Sequence, residues 1–418
     1  MKVYKFGGAS VKNASGIRNL AAIISEESGN LVVVVSAFGK TTNALEKFLK
    51  SWLEDEYDSK TILEEIFQSH LLVVEELFKD TAQVINKLNK AFSELKEFVS
   101  IEKNNNYDFN YDQIVSSGEI WSTIIVAEYL KTCSFNSEWI DIRENLITDD
   151  TFRDANILWE ESEQRIRNTF NFRARKIYVT QGFIGGNING KATTLGREGS
   201  DYTAALIANM LDAEYVTVWK DVPGILNADP DWLPDAVKLE EISYKEAVEM
   251  TFSGAKVIHP KTIKPLHNKN IPLHVRSFLD REQKGTIIKA DAKLGRIIPF
   301  FIKKEEQILI SILPNDFSFV MGENLSMIFQ IFIQNGIKVN LVEASAISLD
   351  VCVDDERPRI DALLKDLHPE FSSVYNENVE MITVRHYNLK ALEQITKGRE
   401  ILLEQRTRST ARYVVRKL

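Results

Sequence analysis

The sequence predicts an α/β fold with a mostly parallel sheet, followed by a smaller α+β region at the C-terminus. Residues 31–37 form a continuous apolar, β-branched run, which is typical of a strand buried on both faces. Together with the short strand Val3–Phe6 and the helical spacing between them, this run forms a βαβ unit. After about residue 290 the pattern changes to strands and short helices.

The remaining elements of the first part follow in order. Residues 41–103 are predicted to be helical because apolar residues recur there at helical spacing, and Asn104–Asn106 breaks the pattern. Later strands are predicted at Trp139–Ile142, Lys176–Thr180 and Tyr215–Trp219, with helices between them. Alternation of strands and helices indicates a parallel sheet covered by helices.

Composition limits the function classes. A chain of 418 residues predicts two or three domains. The net charge is −9 and the basic residues form no block, which argues against nucleic-acid binding. Cys133 and Cys352 lie far apart, as expected in a reducing compartment. Since the sequence has neither a long apolar run nor a signal peptide, we expect a cytoplasmic protein without membrane contact.

Several common motif sets are missing from the sequence. It contains no histidine-rich cluster, no CxxC pair and no P-loop pattern, which disfavours zinc sites and P-loop NTPases. The protein-kinase motif set is also missing.

The first chemical motif is the run Lys5-Phe6-Gly7-Gly8-Ala9-Ser10-Val11 directly after the N-terminal strand. Glycines allow the backbone to approach a ligand closely, and bare N–H groups with an ammonium then face an anion. An ordinary strand-to-helix turn is the alternative interpretation of this run alone.

The second motif extends from Thr180 through a hairpin at Asn187–Gly190 to Thr194–Ala205. Arg197 precedes a predicted helix start, where a guanidinium can bind a carboxylate through two hydrogen bonds. Ser200 and Asp201 either cap this helix or take part in catalysis, and the sequence leaves both open.

Two shorter motifs have equally local alternatives. Ser116-Ser117-Gly118-Glu119 is predicted to open a helix over Ile120–Leu130, so that Glu119 either binds a ligand or stabilises the helix dipole. Thr42 either contacts a substrate or caps a helix.

These motifs closely resemble those of the aspartokinases in the amino acid kinase family. The family pattern KFGGTSV matches residues 5–11, and TLGRGGSD matches residues 194–201. The patterns SxGE, TDVPGIxTxDPR and GAKVLHP match residues 116–119, residues 220–231 and residues 254–260. Five motifs thus occur in the family's order, and the resemblance spans nearly the whole chain.

The resemblance implies a three-layer α/β sandwich that transfers phosphate from ATP, with Mg²⁺, to the side chain of L-aspartate. That reaction begins lysine, threonine and methionine biosynthesis. Lys5 and Asp201 are implied to be catalytic. Nucleotide contacts are implied for Lys5, Gly7, Gly8, Ser10, Lys220, Asp221 and Lys256. Aspartate contacts are implied for Thr42, Glu119, Phe183, Arg197 and Ser200. For His259, the following proline and the apolar neighbours favour a structural role over a catalytic one.

Four positions depart from the family pattern. Ala9 replaces a threonine, and Glu198 replaces a glycine and either points away from the anion site or helps to hold Mg²⁺. Asp231 stands where an arginine usually approaches the phosphates, and Lys220, in place of threonine, is the cation that could compensate. Glu198 and Asp231 keep open a sensor with a degenerate kinase domain, and other amino acid kinases are the second alternative.

The C-terminal region contains a weak internal repeat. Residues 310–316 match residues 382–388 at an offset of 72, whereas Val342 matches Leu403 at an offset of 61. The second copy is therefore shorter by 11 residues, which we interpret as about three helical turns. The repeat resembles the tandem ACT domains of aspartokinases. The resemblance implies a catalytic domain over 1–290, an inner ACT-like unit over 307–378, and an outer, shortened one from 291–306 and 379–418.

The resemblance also predicts regulation and assembly. An amino-acid effector would bind the inner unit near Met321, Glu323 and Asn340. A homodimer or larger homo-oligomer would cover edge strands near Ile308–Leu313 and Tyr413–Arg416. No dehydrogenase segment follows, so we expect a monofunctional enzyme.

Overall fold

The computed structural model describes residues 1–55, 58–101, 103–172, 176–255, 258–292 and 298–417. Chain contacts divide the protein into two compact units. The first contains Met1–Ile225, Lys238–Val248 and Val257–Lys293, and the second contains Leu226–Val237, Glu249–Lys256 and Leu294–Leu418. Two short segments that the sequence division assigns to the catalytic domain therefore group with the C-terminal part. The inner and outer ACT-like boundaries remain a prediction.

The first unit is built on a mostly parallel sheet. Its strands are β1 Lys2–Phe6, β2 Leu31–Val35, β3 Ser137–Ile140, β4 Ile147–Thr148, β5 Ile177–Gln181, β6 Ile184–Asn187, β7 Ala192–Thr194, β8 Val216–Lys220, β9 Glu241–Ser243, β10 Leu273–Ser277 and β11 Thr286–Lys289. Among the described residues the larger sheet has the order β3-β5-β2-β1-β8-β10-β11-β9, and only the β10–β11 pair is antiparallel. Strands β4, β6 and β7 form a small separate sheet.

Helices connect several of these strands. They are α1 Ala14–Ser25, α2 Thr41–Leu53, α3 Ser59–Leu77, α4 Ala82–Ser100, α5 Tyr107–Thr132, α6 Trp159–Thr169, α7 Gly199–Met210, α8 Tyr244–Phe252 and α9 Pro260–Asn268. Helix α5 packs on β2, β3 and β5, and α7 packs on β1, β2 and β8. This arrangement confirms the predicted α/β class. In the described part of the chain, no helix combines the length and apolar character needed to cross a membrane.

The core of this sheet explains where a site can form. Every residue of Leu31–Val35 is buried, as predicted for a central parallel strand. Strands β1, β2, β5 and β8 are parallel neighbours, so the loops at their carboxyl ends meet along one edge of the sheet. Ligands commonly bind at this edge in open α/β sheets.

The second unit is an antiparallel sheet with helices. Its strands are β12 Phe300–Pro314, β13 Val339–Ala344, β14 Leu349–Asp354, β15 Phe371–Arg385, β16 Arg399–Arg406 and β17 Thr410–Lys417. Its further helices are α10 Glu323–Gln334, α11 Arg357–Leu367 and α12 Leu389–Thr396. The strand order among the described residues is β13-β14-β12-β15-β17-β16.

The prediction of edge strands at Ile308–Leu313 and Tyr413–Arg416 is wrong. Strand β12 lies between β14 and β15, and β17 lies between β15 and β16. Within the described residues the edges are instead β13 and β16. The long-range pairing of the two repeats makes the predicted edges interior.

The shortening of the second repeat is also distributed differently from the prediction. Helix α10 has 12 residues and α12 has 8, a difference of about one turn rather than three. The loop before the helix comprises residues 315–322 in the first repeat but only residues 386–388 in the second. The loop after the helix comprises residues 335–338 in the first repeat but only residues 397–398 in the second. Shorter loops therefore account for most of the 11 residues.

Candidate active site

A cleft of about 610 Å³ opens at the carboxyl edge of the sheet in the first unit. Its lining includes most of the site residues that the sequence predicts. These are Lys5, Gly8, Thr42, Glu119, Phe183, Arg197, Ser200, Asp201 and Lys220. They come from β1 and the turn after it, the first turn of α2, the middle of α5, the loops after β5 and β7, the first turn of α7 and the end of β8.

Two lysines converge on one buried carboxylate in this cleft. Lys5 Nζ lies 2.6 Å from Asp201 Oδ1, and Lys220 Nζ lies 3.5 Å from Asp201 Oδ2. The Asp201 side chain is only 3% exposed. Burial acts to raise the pKa of Asp201, but the charges of Lys5 and Lys220 outweigh burial and hold this pKa below its ordinary value. Asp201 is therefore ionised and fixes the position of Lys5.

Neither Ser200 nor Asp201 caps helix α7. The N-cap position belongs to Glu198, which has a left-handed backbone (φ 54°) and whose side chain makes no capping hydrogen bond. Ser200 instead accepts a hydrogen bond from the Ser36 hydroxyl at 3.0 Å, and Asp201 pairs with Lys5. The capping alternative is thus excluded for both residues.

The glycine-rich turn after β1 packs tightly against the loop after β2. A Cβ atom on Gly8 would lie 2.5 Å from the Ala37 carbonyl oxygen, so only glycine fits there. The N–H of Ser10 already donates to the Gly7 carbonyl at 3.0 Å. That N–H is therefore engaged within the turn, whereas Gly8 lines the cleft. The phosphate contact of Ser10 stays a prediction.

Glu119 lies in the middle of α5, not in the first turn of a helix as predicted. The helix begins at Tyr107, so the dipole interpretation of Glu119 is wrong. The residue is 3% exposed, and its Oε2 atom has no hydrogen-bond partner among the described residues. Burial raises the pKa of Glu119 to about 8, although a hydrogen bond from the Ala37 backbone and the Lys5 charge oppose this shift. A buried carboxyl group with one oxygen that lacks a partner is suited to bind a cationic ligand.

A close helix contact holds Glu119 in place. A Cβ atom on Gly118 would lie 2.9 Å from the Thr41 Cγ2 atom, so the glycine permits α2 and α5 to touch. This contact places Thr42, in the first turn of α2, beside the same cleft. The N-cap of α2 is Lys40, so Thr42 is not a helix cap.

Arg197 and Phe183 complete the opposite side of the cleft. The Arg197 side chain is exposed, and it makes no hydrogen bond or ion pair with any residue that the structure describes. Phe183 has a left-handed backbone (φ 71°), and its N–H donates to the Thr203 hydroxyl at 3.1 Å. The guanidinium of Arg197 is thus available to an incoming carboxylate.

Gly7, Asp221 and the departure Asp231 are not among the cleft-lining residues, although a Cβ atom on Gly7 would lie 3.5 Å from the Lys5 Nζ atom. Asp221 is exposed and does not line the cleft. Gly7 supplies its carbonyl to the turn described above. Lys256 lies outside the described residues. Asp231 is exposed in the second unit, where its N–H donates to the Asp229 side chain.

The structure adds cleft residues that the sequence did not reveal. Arg153 lines the cleft with its guanidinium 4.5 Å from the centre of the Tyr111 ring, a cation–π contact. Its N–H donates to Asp112, a buried carboxylate that also binds Thr194. Burial raises the pKa of Asp112 to about 6. Arg153 occupies a loop without a recognisable motif, so no sequence signal identifies it.

The predicted regulatory residues lie in the second unit. Met321 is 60% exposed, and Glu323 is the first residue of α10. The Asn340 side chain accepts a hydrogen bond from Lys304 at 2.9 Å and donates to Gln307 and Asp354. Lys304 also pairs with Asp354 at 2.6 Å. The Lys304 ammonium therefore already binds the side-chain oxygen of Asn340.

Sequence comparison agrees with the fold and the cleft. The profile of the Amino acid kinase family matches residues 1–277, so the chain belongs to the amino acid kinase family. Within this family it groups with the aspartokinases. Lysine-sensitive aspartokinase 3 of Escherichia coli is 31% identical over 358 residues, which cover 84% of this chain and 78% of the relative.

Other relatives are longer. Bifunctional aspartokinase/homoserine dehydrogenase 2 of Arabidopsis thaliana is 31% identical over 383 residues, which cover 88% of this chain but 42% of that protein. The chain thus spans about two fifths of the length of this relative.

Solved structures show the same fold. Crystalline E. coli aspartokinase III in complex with aspartate and ADP, in the R-state, has a TM-score of 0.83 and 26% identity, covering 100% of this chain and 96% of its own. The same enzyme with lysine and aspartate, in the T-state, has a TM-score of 0.82 and 26% identity over the same shares. The predicted fold class and family are confirmed.

Proposed function

We propose that this protein is an aspartate kinase, which transfers the γ-phosphoryl group of ATP to the side-chain carboxylate of L-aspartate. The product would be 4-phospho-L-aspartate, the first intermediate of lysine, threonine and methionine biosynthesis. The observation that carries this proposal is Glu119, a buried carboxyl group with an unpartnered oxygen in the same cleft as Lys5. An α-ammonium group is the partner that Glu119 lacks.

The cleft offers a complementary group for each end of aspartate. Glu119 would bind the ammonium, and Arg197 would hold the α-carboxylate through two parallel hydrogen bonds. Thr42 and Ser200 line the same cleft and would add hydroxyl contacts, and Phe183 would limit the length of the substrate. The side-chain carboxylate would then be directed towards Lys5.

The chemistry needs no general base. The side-chain carboxyl of aspartate has a reference pKa of about 3.9, so the nucleophile is already ionised at neutral pH. The obstacle is repulsion between this carboxylate and the phosphates. Phosphoryl transfer is catalysed mainly by positioning and charge neutralisation. Lys5, oriented by Asp201, would neutralise the transferred group, and Lys220 adds a second positive charge nearby.

The site also fits a nucleotide with its metal. Gly8 brings backbone against the cleft without a side chain, and two ammonium groups lie beside it. In the described residues no group of three His, Cys, Asp or Glu side chains could hold a metal ion by itself. Mg²⁺ in kinases is held largely by the substrate phosphates and one or two carboxylates, and here it would neutralise β- and γ-phosphate oxygens. Asp201 is the ionised carboxylate of the cleft that could share in holding it.

Regulation and assembly are part of the same proposal. The second unit would bind an amino-acid effector near Met321, Glu323 and Asn340, and two copies of the chain would associate through their ACT-like regions. Exposed apolar side chains in this unit include Phe317, Phe319 and Met321. Such a patch is typical of an association surface.

A substrate panel tests the proposal. We expect acyl phosphate, trapped as a hydroxamate, to form with ATP and L-aspartate and to be at least tenfold lower with L-glutamate. Succinate matches aspartate but lacks the amino group, so its turnover should be far lower if Glu119 binds an ammonium. Amino-acid binding without any ADP formation would instead favour the sensor with a degenerate kinase domain.

A further inference from the structure

Arg153 has a backbone conformation that an arginine rarely adopts. Its φ is 69°, in the left-handed region, where a residue with a Cβ atom is disfavoured. The residue lies in the loop between β4 and α6 and lines the cleft. Residues other than glycine keep this conformation only where surrounding contacts hold them, and such residues are frequent at binding sites. A glycine would avoid the strain, so the contacts of Arg153 indicate what its side chain contributes.

One buried carboxylate holds the backbone of this loop. Asp112 is fully buried, and its Oδ2 atom accepts hydrogen bonds from the N–H groups of Arg153 at 3.0 Å and Thr194 at 2.8 Å. Its Oδ1 atom accepts a third hydrogen bond from the Thr194 hydroxyl at 2.7 Å. The Ala155 N–H also donates to the Thr194 carbonyl at 3.0 Å. The loop with Arg153 is therefore tied to the end of β7, which leads directly to Arg197.

The same loop touches the residue that precedes Arg197. A Cβ atom on Gly196 would lie 3.4 Å from the Arg153 carbonyl oxygen, so the two backbones are in contact there. Lys5 and Lys220 instead pair with a carboxylate in the first turn of α7. Among the cations that line the cleft, Arg153 therefore belongs with Arg197 rather than with the two lysines.

Aromatic rings orient the Arg153 guanidinium and leave it accessible. Its carbon atom lies 4.5 Å from the centre of the Tyr111 ring and 5.8 Å from that of the Tyr107 ring. Its Nη1 atom pairs with Asp108 at 3.3 Å, but both side chains are 49% exposed, and an ion pair of this kind contributes little. The guanidinium makes no other hydrogen bond to a residue that the structure describes. Most of its N–H groups are thus available to an anion.

We propose that Arg153 is a second carboxylate-binding residue of the cleft, which holds the α-carboxylate of aspartate together with Arg197. This assignment rests on the proposed function. Two guanidinium groups can share one carboxylate, because each carboxylate oxygen accepts more than one hydrogen bond. The contact involves only the α-carboxylate and leaves the reacting side-chain carboxylate free. Removal of Arg153 should therefore weaken aspartate binding without slowing phosphoryl transfer in the bound complex.

Binding of two ligands to the full chain tests this assignment. Affinities are measured by calorimetry for L-aspartate and for its α-amide, in which a neutral amide replaces the α-carboxylate. Arg153→Gln should bind L-aspartate about tenfold more weakly than the wild type, because it loses charged hydrogen bonds. Its affinity for the α-amide should stay within about twofold of the wild type, since the charged partner is missing from that ligand. In turnover assays, KM for aspartate should rise about tenfold, with kcat and KM for ATP nearly unchanged.

Two further variants separate recognition from folding. Arg153→Gly removes the side chain and relieves the left-handed backbone, so it should fold and show the same loss of aspartate affinity. Arg18→Gln is a matched control, since Arg18 is 46% exposed, pairs with Glu76 at 3.0 Å and is not among the cleft-lining residues. This control should leave both affinities unchanged.

Three results would overturn the assignment. The first is an aspartate affinity within about twofold of the wild type in both Arg153 variants. The second is equal weakening of aspartate and its α-amide, which would show that Arg153 only supports the loop. The third is a rise in KM for ATP instead of KM for aspartate, which would place Arg153 with the nucleotide. A wild type that binds no aspartate would refute the proposed function, and this assignment with it, before any variant is measured.

Discussion

The raised pKa of Glu119 makes aspartate binding depend on pH in a defined direction. With a pKa of about 8, this carboxyl group is mostly protonated and neutral at pH 7 in the free protein. A substrate ammonium binds the ionised form, so binding must displace the proton. The apparent KM for aspartate should therefore fall as the pH rises towards 8 and then level off.

The size of the effect follows from the titration of one group. About 3% of Glu119 is ionised at pH 6.5 and about 75% at pH 8.5, which predicts a decrease in KM of about 25-fold across this range. Aspartate binding at pH 7 should release about 0.9 proton. In the ligand-free protein, the raised pKa contributes stability below about pH 4.5 that is lost as the pH rises through about 8.

Two measurements check this prediction. The KM for aspartate is determined from ADP release at saturating ATP between pH 6.5 and 8.5, and proton release is measured by calorimetry in two buffers of different ionisation enthalpy. Glu119→Gln is the matched control, because its amide can accept a hydrogen bond but cannot titrate in this range. A flat wild-type profile, or the same slope in Glu119→Gln, would refute the reasoning.

Four further predictions address other parts of the molecule. Lys5→Met should lower kcat by a hundredfold or more with an unchanged circular dichroism spectrum, and a variant that keeps over a tenth of wild-type kcat would contradict this. Arg197→Lys should raise KM for aspartate well beyond KM for ATP, because lysine lacks the two-pronged geometry; equal changes would exclude Arg197 as the carboxylate ligand. Lysine alone should inhibit weakly, because Asn340 already binds Lys304 and Asp354, and half-inhibition below about a millimolar would show otherwise. Light scattering at micromolar concentration should show a dimer or a multiple of it, and a monomeric mass would contradict this.

Local patterns in the sequence were sufficient for the sheet of the first unit. The continuous run at Leu31–Val35 and the strand at Ile177–Gln181 lie within two residues of their predictions. Strands that are buried on both faces consist of nearly continuous apolar residues, and such runs can be recognised in the sequence. The glycine-rich turn after β1 was likewise recognisable, because close packing of the backbone requires Gly8 there.

Tertiary contacts explain the errors. The sequence predicted that Ser116–Glu119 opens a helix, whereas α5 begins at Tyr107 and Gly118 allows close contact between α2 and α5. Asp201 has the sequence context of a helix cap, but Lys5, about 200 residues away, determines its role. No local pattern carries information about such partners.

The long strands β12 and β15 have a consequence for how the second unit unfolds. Each has 15 residues, and they pair with each other from Phe300–Arg385 at one end to Pro314–Phe371 at the other. Both repeats therefore share the antiparallel strand pair β12–β15. The register of this pair shifts between Lys304 and Gln307 and again between Gln307 and Leu309. The predicted boundaries at 306/307 and 378/379 fall inside β12 and β15, so no linker separates the two repeats. We therefore expect the two repeats to unfold together in one cooperative transition.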